Sequence, residues 1–167
     1  PLVRKRAEYV INERIISRAT DSFGWNTTMT NNWASVCAGN VLLCAAYQCR
    51  DKHRLASIIS TCMRAGDHFL SAFAPDGACL EGLSYWNYGV SGFVLLSETL
   101  KALTNGKINL LTDEKVKNIA LFNKKCVLPL GRSVSFSDSG SRGGKRSLGL
   151  TSLLASYYPE IELFDAT

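Results

Sequence analysis

Residues 75–89, Pro-Asp-Gly-Ala-Cys-Leu-Glu-Gly-Leu-Ser-Tyr-Trp-Asn-Tyr-Gly, carry the densest set of chemically useful side chains in the sequence. Glu81, Tyr85, Trp86, Asn87 and Tyr88 crowd together just ahead of an apolar run at 90–100. Pro75-Asp76-Gly77 reads as a tight turn, because Pro presets one backbone dihedral and Gly supplies the left-handed one. A carboxylate, an amide, phenols and an indole at the start of a helix suit a sugar-binding cleft, where rings stack on pyranose faces and polar groups read hydroxyls. The competing reading is a helix N-terminus whose aromatics plug a core, since aromatic side chains are more often buried than functional.

Two further clusters stand on either side. Asn31-Asn32-Trp33 precedes an apolar run, and Thr30, Asn31 or Asn32 can cap the helix it starts. Phe136-Ser137-Asp138-Ser139-Gly140 lies after a strand-like alternation at 133–137. The two histidines, His53 and His68, share one amphipathic segment and have no partner of their own kind nearby. The six cysteines show neither Cys-x-x-Cys spacing nor a paired His, so no metal site is expected. Cys37, Cys44 and Cys62 fall at apolar helical positions and are expected in the core.

These side chains need elements to hold them. Apolar spacing predicts helices over 2–18 (Val3, Ala7, Val10, Ile11 and Ile15 on one face), 33–47, 52–73, 85–103, 112–122 and 148–158. The segments 33–47 and 85–103 are apolar nearly all round, and such helices are expected to be covered on every side. They alternate with the amphipathic 2–18 and 52–73, the pattern of inner helices wrapped by outer ones. The fold class is therefore mainly all-α, with little β structure near 133–137.

At 167 residues, 46% hydrophobic and 20% charged, the chain is the size and composition of one globular domain. No apolar run reaches the roughly 20 residues of a membrane span. The formal charge of +5 is uneven: between Lys101 and Arg146, ten Lys or Arg stand against Asp113, Glu114 and Asp138. A basic stretch of that kind suits an acidic partner or is simply a solvated face, and charge alone does not choose between them.

Taken together, Asn31-Asn32-Trp33-x-x-Val36-Cys37, Pro75-Asp76-Gly77-x-x-x-Glu81-Gly82-x-x-Tyr85-Trp86-x-Tyr88-Gly89 and Phe136-Ser137-Asp138-Ser139-Gly140 resemble heparinase II/III-type polysaccharide lyases, a group that includes oligoalginate lyases. The motifs occur in the family's order, and the central one is the most specific. The resemblance implies an incomplete α/α toroid of helical hairpins followed by a β-sandwich. Residues 1–167 would then be a partial toroid domain, a piece of a longer periplasmic or secreted enzyme. Helix faces left uncovered by such a truncation are expected to drive self-association.

The resemblance also implies β-elimination at a uronic acid; in this chain neither a cofactor nor a metal is expected. The reaction needs the carboxylate neutralised, the C5 proton removed and the O4 leaving group protonated. By the family's pattern Asn32 neutralises, with Asn31 as the near alternative. Tyr85 is the acid and base, and Tyr88, one turn further on, is the rival for that role or a subsite residue. Trp33 and Trp86 are candidates for stacking on a sugar ring, Glu81 for orienting, and Arg142 for contacting the anionic substrate. The expected partner is an anionic polysaccharide or oligosaccharide, not nucleic acid and not a membrane. The alternative is a non-catalytic helical module that holds an acidic glycan through Arg132, Arg142, Lys145 and Arg146.

Overall fold

A computed structural model of the chain describes residues 2–128, 132–140 and 147–161. The fold is mainly helical: α1 (Leu2–Val10), α2 (Gly24–Thr27), α3 (Asn32–Gln48), α4 (Lys52–Ser71), α5 (Leu83–Leu103), α6 (Glu114–Lys125) and α7 (Leu148–Tyr157). A two-stranded antiparallel pair, β1 (Val127–Leu128) and β2 (Arg132–Ser133), sets Val127 opposite Ser133. Among the described residues no helix is long and apolar enough to cross a membrane.

The frame is a pair of helical hairpins, α3–α4 and α4–α5, which makes α3 and α5 parallel neighbours. Small residues let these two approach. Gly92 lies so close to α3 that a Cβ there would sit 2.7 Å from the Val36 Cα, and one on Gly39 would sit 2.4 Å from the Gly92 carbonyl oxygen. Ser35 donates from Oγ to the Gly89 carbonyl at 2.8 Å, tying the two backbones inside the core. Helix α4 runs antiparallel, with Gly66 against Leu96 and Phe69 against Gly89 and Phe93.

Caps follow the chemistry of the flanking side chains. Asn31 accepts from the Trp33 N–H, Asp51 from His53 and Arg54, and Asp113 from Lys115 and Val116. Asp113 thus starts α6 two residues later than the 112 that apolar spacing suggests. Trp86 donates its indole N–H to the Ile119 carbonyl at 2.8 Å and fastens α5 to α6. Tyr158 donates to the Leu111 carbonyl, and burial pushes its phenol up to about 12.

Three expectations need correction. The helices α3 and α5 are adjacent but not covered on all sides: Tyr47 is 74% exposed, and Asn40 and Ser91 are exposed as well. Their glycine seam and α4 occupy only part of each surface. The stripe expected along 2–18 is also uncovered, for none of Leu2–Val10 is buried. From Ile11 to Ile16 the backbone widens into a π-helical turn, seen in the Ser17 N–H bonding Asn12 rather than Glu13. The register slip brings Ile16 into the core in place of Ile15. Arg54, on the otherwise solvated side of α4 where a charge is expected in water, instead bonds Thr20 Oγ1 and the carbonyls of Ile16 and Ser17, and so caps the end of that first helical stretch.

All six cysteines are free thiols, but only Cys62 of the three expected in the core is buried; Cys37 and Cys44 are half-exposed on the open side of α3. Burial raises the Cys62 thiol to about 12. Because the thiolate is the nucleophile, Cys62 should resist alkylation at pH 8 until the protein unfolds. Mass spectrometry of a maleimide time course should find Cys49 and Cys37 labelled well before Cys62. Equal rates would show that the α3–α4–α5 core opens readily.

Candidate functional site

The parallel arrangement of α3 and α5 puts both N-termini at one end of the molecule, where the chain from Ala72 to Gly82 returns over them. Between them lies a cleft of about 260 Å³ lined by Thr30, Asn31, Asn32, Phe69, Ala72, Phe73, Cys79, Leu80, Glu81 and Tyr85. Residues from the first two motifs, 49 to 54 positions apart in sequence, therefore meet at a single site.

Each wall has a local cause. Asn31 is spent on capping α3, which leaves the neighbouring Asn32 amide free to turn inward. Asn32 is 3% exposed, and its Nδ2 faces the Glu81 carboxylate at 3.3 and 3.5 Å. The Pro75-Asp76-Gly77 turn forms as expected, with the Gly77 N–H bonded to the Ala74 carbonyl and Asp76 Oδ1 accepting from Ala78. Gly77 has φ +86° and lies flat on the α6 backbone, where a Cβ would come 2.2 Å from the Asn118 carbonyl oxygen. Only glycine suits both conditions.

The third motif buttresses the second. Residues 136–139 close a tight turn in which the Ser139 N–H bonds the Phe136 carbonyl. Gly82, at φ +88°, is pressed against this turn. Helix α5 has no cap from its own Gly82; Ser139 Oγ takes that place, accepting from the Ser84 N–H at 3.0 Å. A segment 55 residues away thus fixes where α5 begins, two residues earlier than apolar spacing suggested. The alternation at 133–137 yields strand only at Arg132–Ser133, because the chain then folds into this turn.

The electrostatics of the cleft are mixed. Two long helices point their positive ends at it, which favours an anion. Glu81 opposes that, and no Lys or Arg is among the described lining residues. The Cys79 thiol is raised first by burial and further by the Glu81 charge, against the backbone N–H groups of Glu81 and Gly82, which lower it. Phe69 and Phe73, edge-to-face at 4.9 Å, supply an apolar wall.

The predicted site residues divide. Asn31, Asn32, Glu81 and Tyr85 line the cleft, and Tyr85 is 38% exposed. Tyr88 (51% exposed) and Trp33 (55% exposed) stand on the outer surface and do not line it. Trp86 is 4% exposed and bound to α6, so it is a core residue here rather than a stacking platform. Arg142, with Lys145 and Arg146, lies outside the described residues; Arg132 is exposed on β2. His53 is exposed and His68 half-buried, and neither lines the cleft. Among the described residues no group of three His, Cys, Asp or Glu could hold a metal ion. Sequence reading missed Phe69, Phe73 and Thr30; the i, i+4 aromatic pair ending α4 was the available signal.

What the fold and site define is a mainly helical protein with a polar cleft at the joined N-termini of two parallel helices. Set against the profiles of known protein families and against curated protein sequences, the chain matches none.

Proposed function

We propose that the chain carries the uronate-binding and proton-transfer residues of a polysaccharide lyase resembling the heparinase II/III type, built on a partial α/α toroid. The observation that supports this reading is the meeting of Asn32 and Tyr85 in one cleft at two helix N-termini. Its other support is the resemblance of the motifs at 31–37, 75–89 and 136–140 to that type.

In this reading the uronate carboxylate sits at the helix N-termini and accepts from Asn32 Nδ2. That donor stabilises the charge which moves onto the carboxylate as the C5 proton leaves. The Tyr85 phenol oxygen takes the C5 proton; the C4–O4 bond breaks as C4=C5 forms. The phenol then returns its proton to the departing O4 oxygen. Phe69 and Phe73 offer the sugar an apolar face, and Glu81 holds the Asn32 amide until the sugar arrives.

The test is direct. The chain is mixed with alginate, hyaluronan and heparan sulfate, and the ultraviolet band of a C4=C5 uronate is followed. Growth of that band with one substrate supports the lyase. Binding without it favours the second reading, a glycan-holding module, for which exposed Arg132 speaks. Neither binding nor absorbance overturns both.

A further inference from the structure

Glu81 sits where a ligand is wanted. Its carboxylate oxygens lie 3.3 and 3.5 Å from Asn32 Nδ2, and Asn32 is otherwise shut off from solvent, so the cleft is its approach. A carboxylate on an incoming sugar would need the same amide protons. It would meet Glu81 at a few ångströms, and two ionised carboxylates at that distance repel.

We propose that Glu81 is a built-in competitor for Asn32, so that an acidic sugar enters the cleft only as Glu81 is displaced or loses its charge. This rests on the uronate reading of the cleft and deepens it: Glu81 becomes the residue that sets how strongly the site holds a carboxylate and how that varies with pH. The groups around it do little to offset the charge. Helix α3 presents the neutral Asn32, α4 presents Phe69, the loop after it presents Phe73 and the Cys79 thiol, and α5 presents Tyr85. The turn packed on Gly82 carries Asp138, which is exposed and of the same sign.

The experiment is calorimetric titration of the chain and its Glu81→Gln variant with a tetramannuronate, at pH 4.5 and pH 8, with mannotetraose as the neutral control. Gln keeps the shape and an acceptor for Asn32 but not the charge. At pH 8 the variant should bind the tetramannuronate about tenfold more tightly, a difference on the order of one partly screened charge pair. The gap should narrow at pH 4.5, and mannotetraose should bind both proteins alike. Glu81→Ala should shift affinity in the same direction, with circular dichroism showing the helices intact in both variants. Equal or weaker binding by Glu81→Gln at pH 8 overturns the competitor role while leaving the glycan reading in place. If neither protein binds tetramannuronate, or a hyaluronan or heparan sulfate oligosaccharide, at either pH, the glycan reading falls and this inference falls with it.

Discussion

Gly92→Val is expected to cost the protein much of its stability. A Cβ at this position would sit 2.7 Å from the Val36 Cα, 2.7 Å from its N and 2.9 Å from the Ser35 carbonyl carbon. All three are backbone atoms, which cannot rotate out of the way as a side chain end can. Helices α3 and α5 would have to separate, and the Ser35–Gly89 bond would stretch or break. Overpacking of a well-packed core typically costs about 1–3 kcal/mol, and a clash against rigid backbone belongs at or above the top of that range. Against a total stability on the order of 5–15 kcal/mol, this is a large share. A melting temperature lowered by roughly 10 °C should follow. Gly140→Val is the control: nothing among the described residues lies within 4 Å of a Cβ there, and a change within about 0.5 kcal/mol is expected. If both variants melt like the parent, the parallel seam is not what holds the cleft together.

The second large effect concerns chemistry. With a uronan that the chain degrades, Tyr85→Phe removes one oxygen and should lower turnover by about 10²-fold or more, with affinity little changed. Asn32→Ala should lower it comparably, because the developing charge loses its donor. The cap of α3 belongs to Asn31, so Asn32→Ala leaves that helix start intact. By contrast Tyr88 is outside the cleft, and Tyr88→Phe should stay within about twofold of the parent. The initial rate of absorbance growth reads all three. A silent Tyr85→Phe beside an inactive Tyr88→Phe would move the chemistry to the outer surface of α5.

The two effects are linked. The seam at Gly39 and Gly92 sets the separation of the helix starts that carry Asn32 and Tyr85. A Gly39→Ala chain stable enough to purify should therefore lose turnover more than it loses helix content, since positioning errors of about 1 Å can cost 10²-fold.

Much of the molecule was legible in the sequence because its causes are local. Apolar periodicity located α3 to α7 to within a few residues. Asn31, Asp51 and Asp113 sit where N-cap chemistry requires them, and Pro75-Asp76-Gly77 turns where Pro and Gly force it to. The meeting of the three motifs, by contrast, had no local cause. Asn32 reaches Glu81 only because α4 returns the chain through a hairpin and glycines on α3 and α5 admit a parallel contact. Residue type at 33, 86 and 88 said nothing of direction: Trp86 and Tyr88 differ by two positions, about 200° around a helix, so one is sealed against α6 and the other faces water. The use of Arg54 to close the stretch ending at Ile16 and of Ser139 to start α5 were likewise invisible, for each partner is distant in the chain. Composition and spacing decided which helices form and which side chains could do chemistry. Only packing decided which of those side chains share a cleft, because that depends on how closely two backbones can approach.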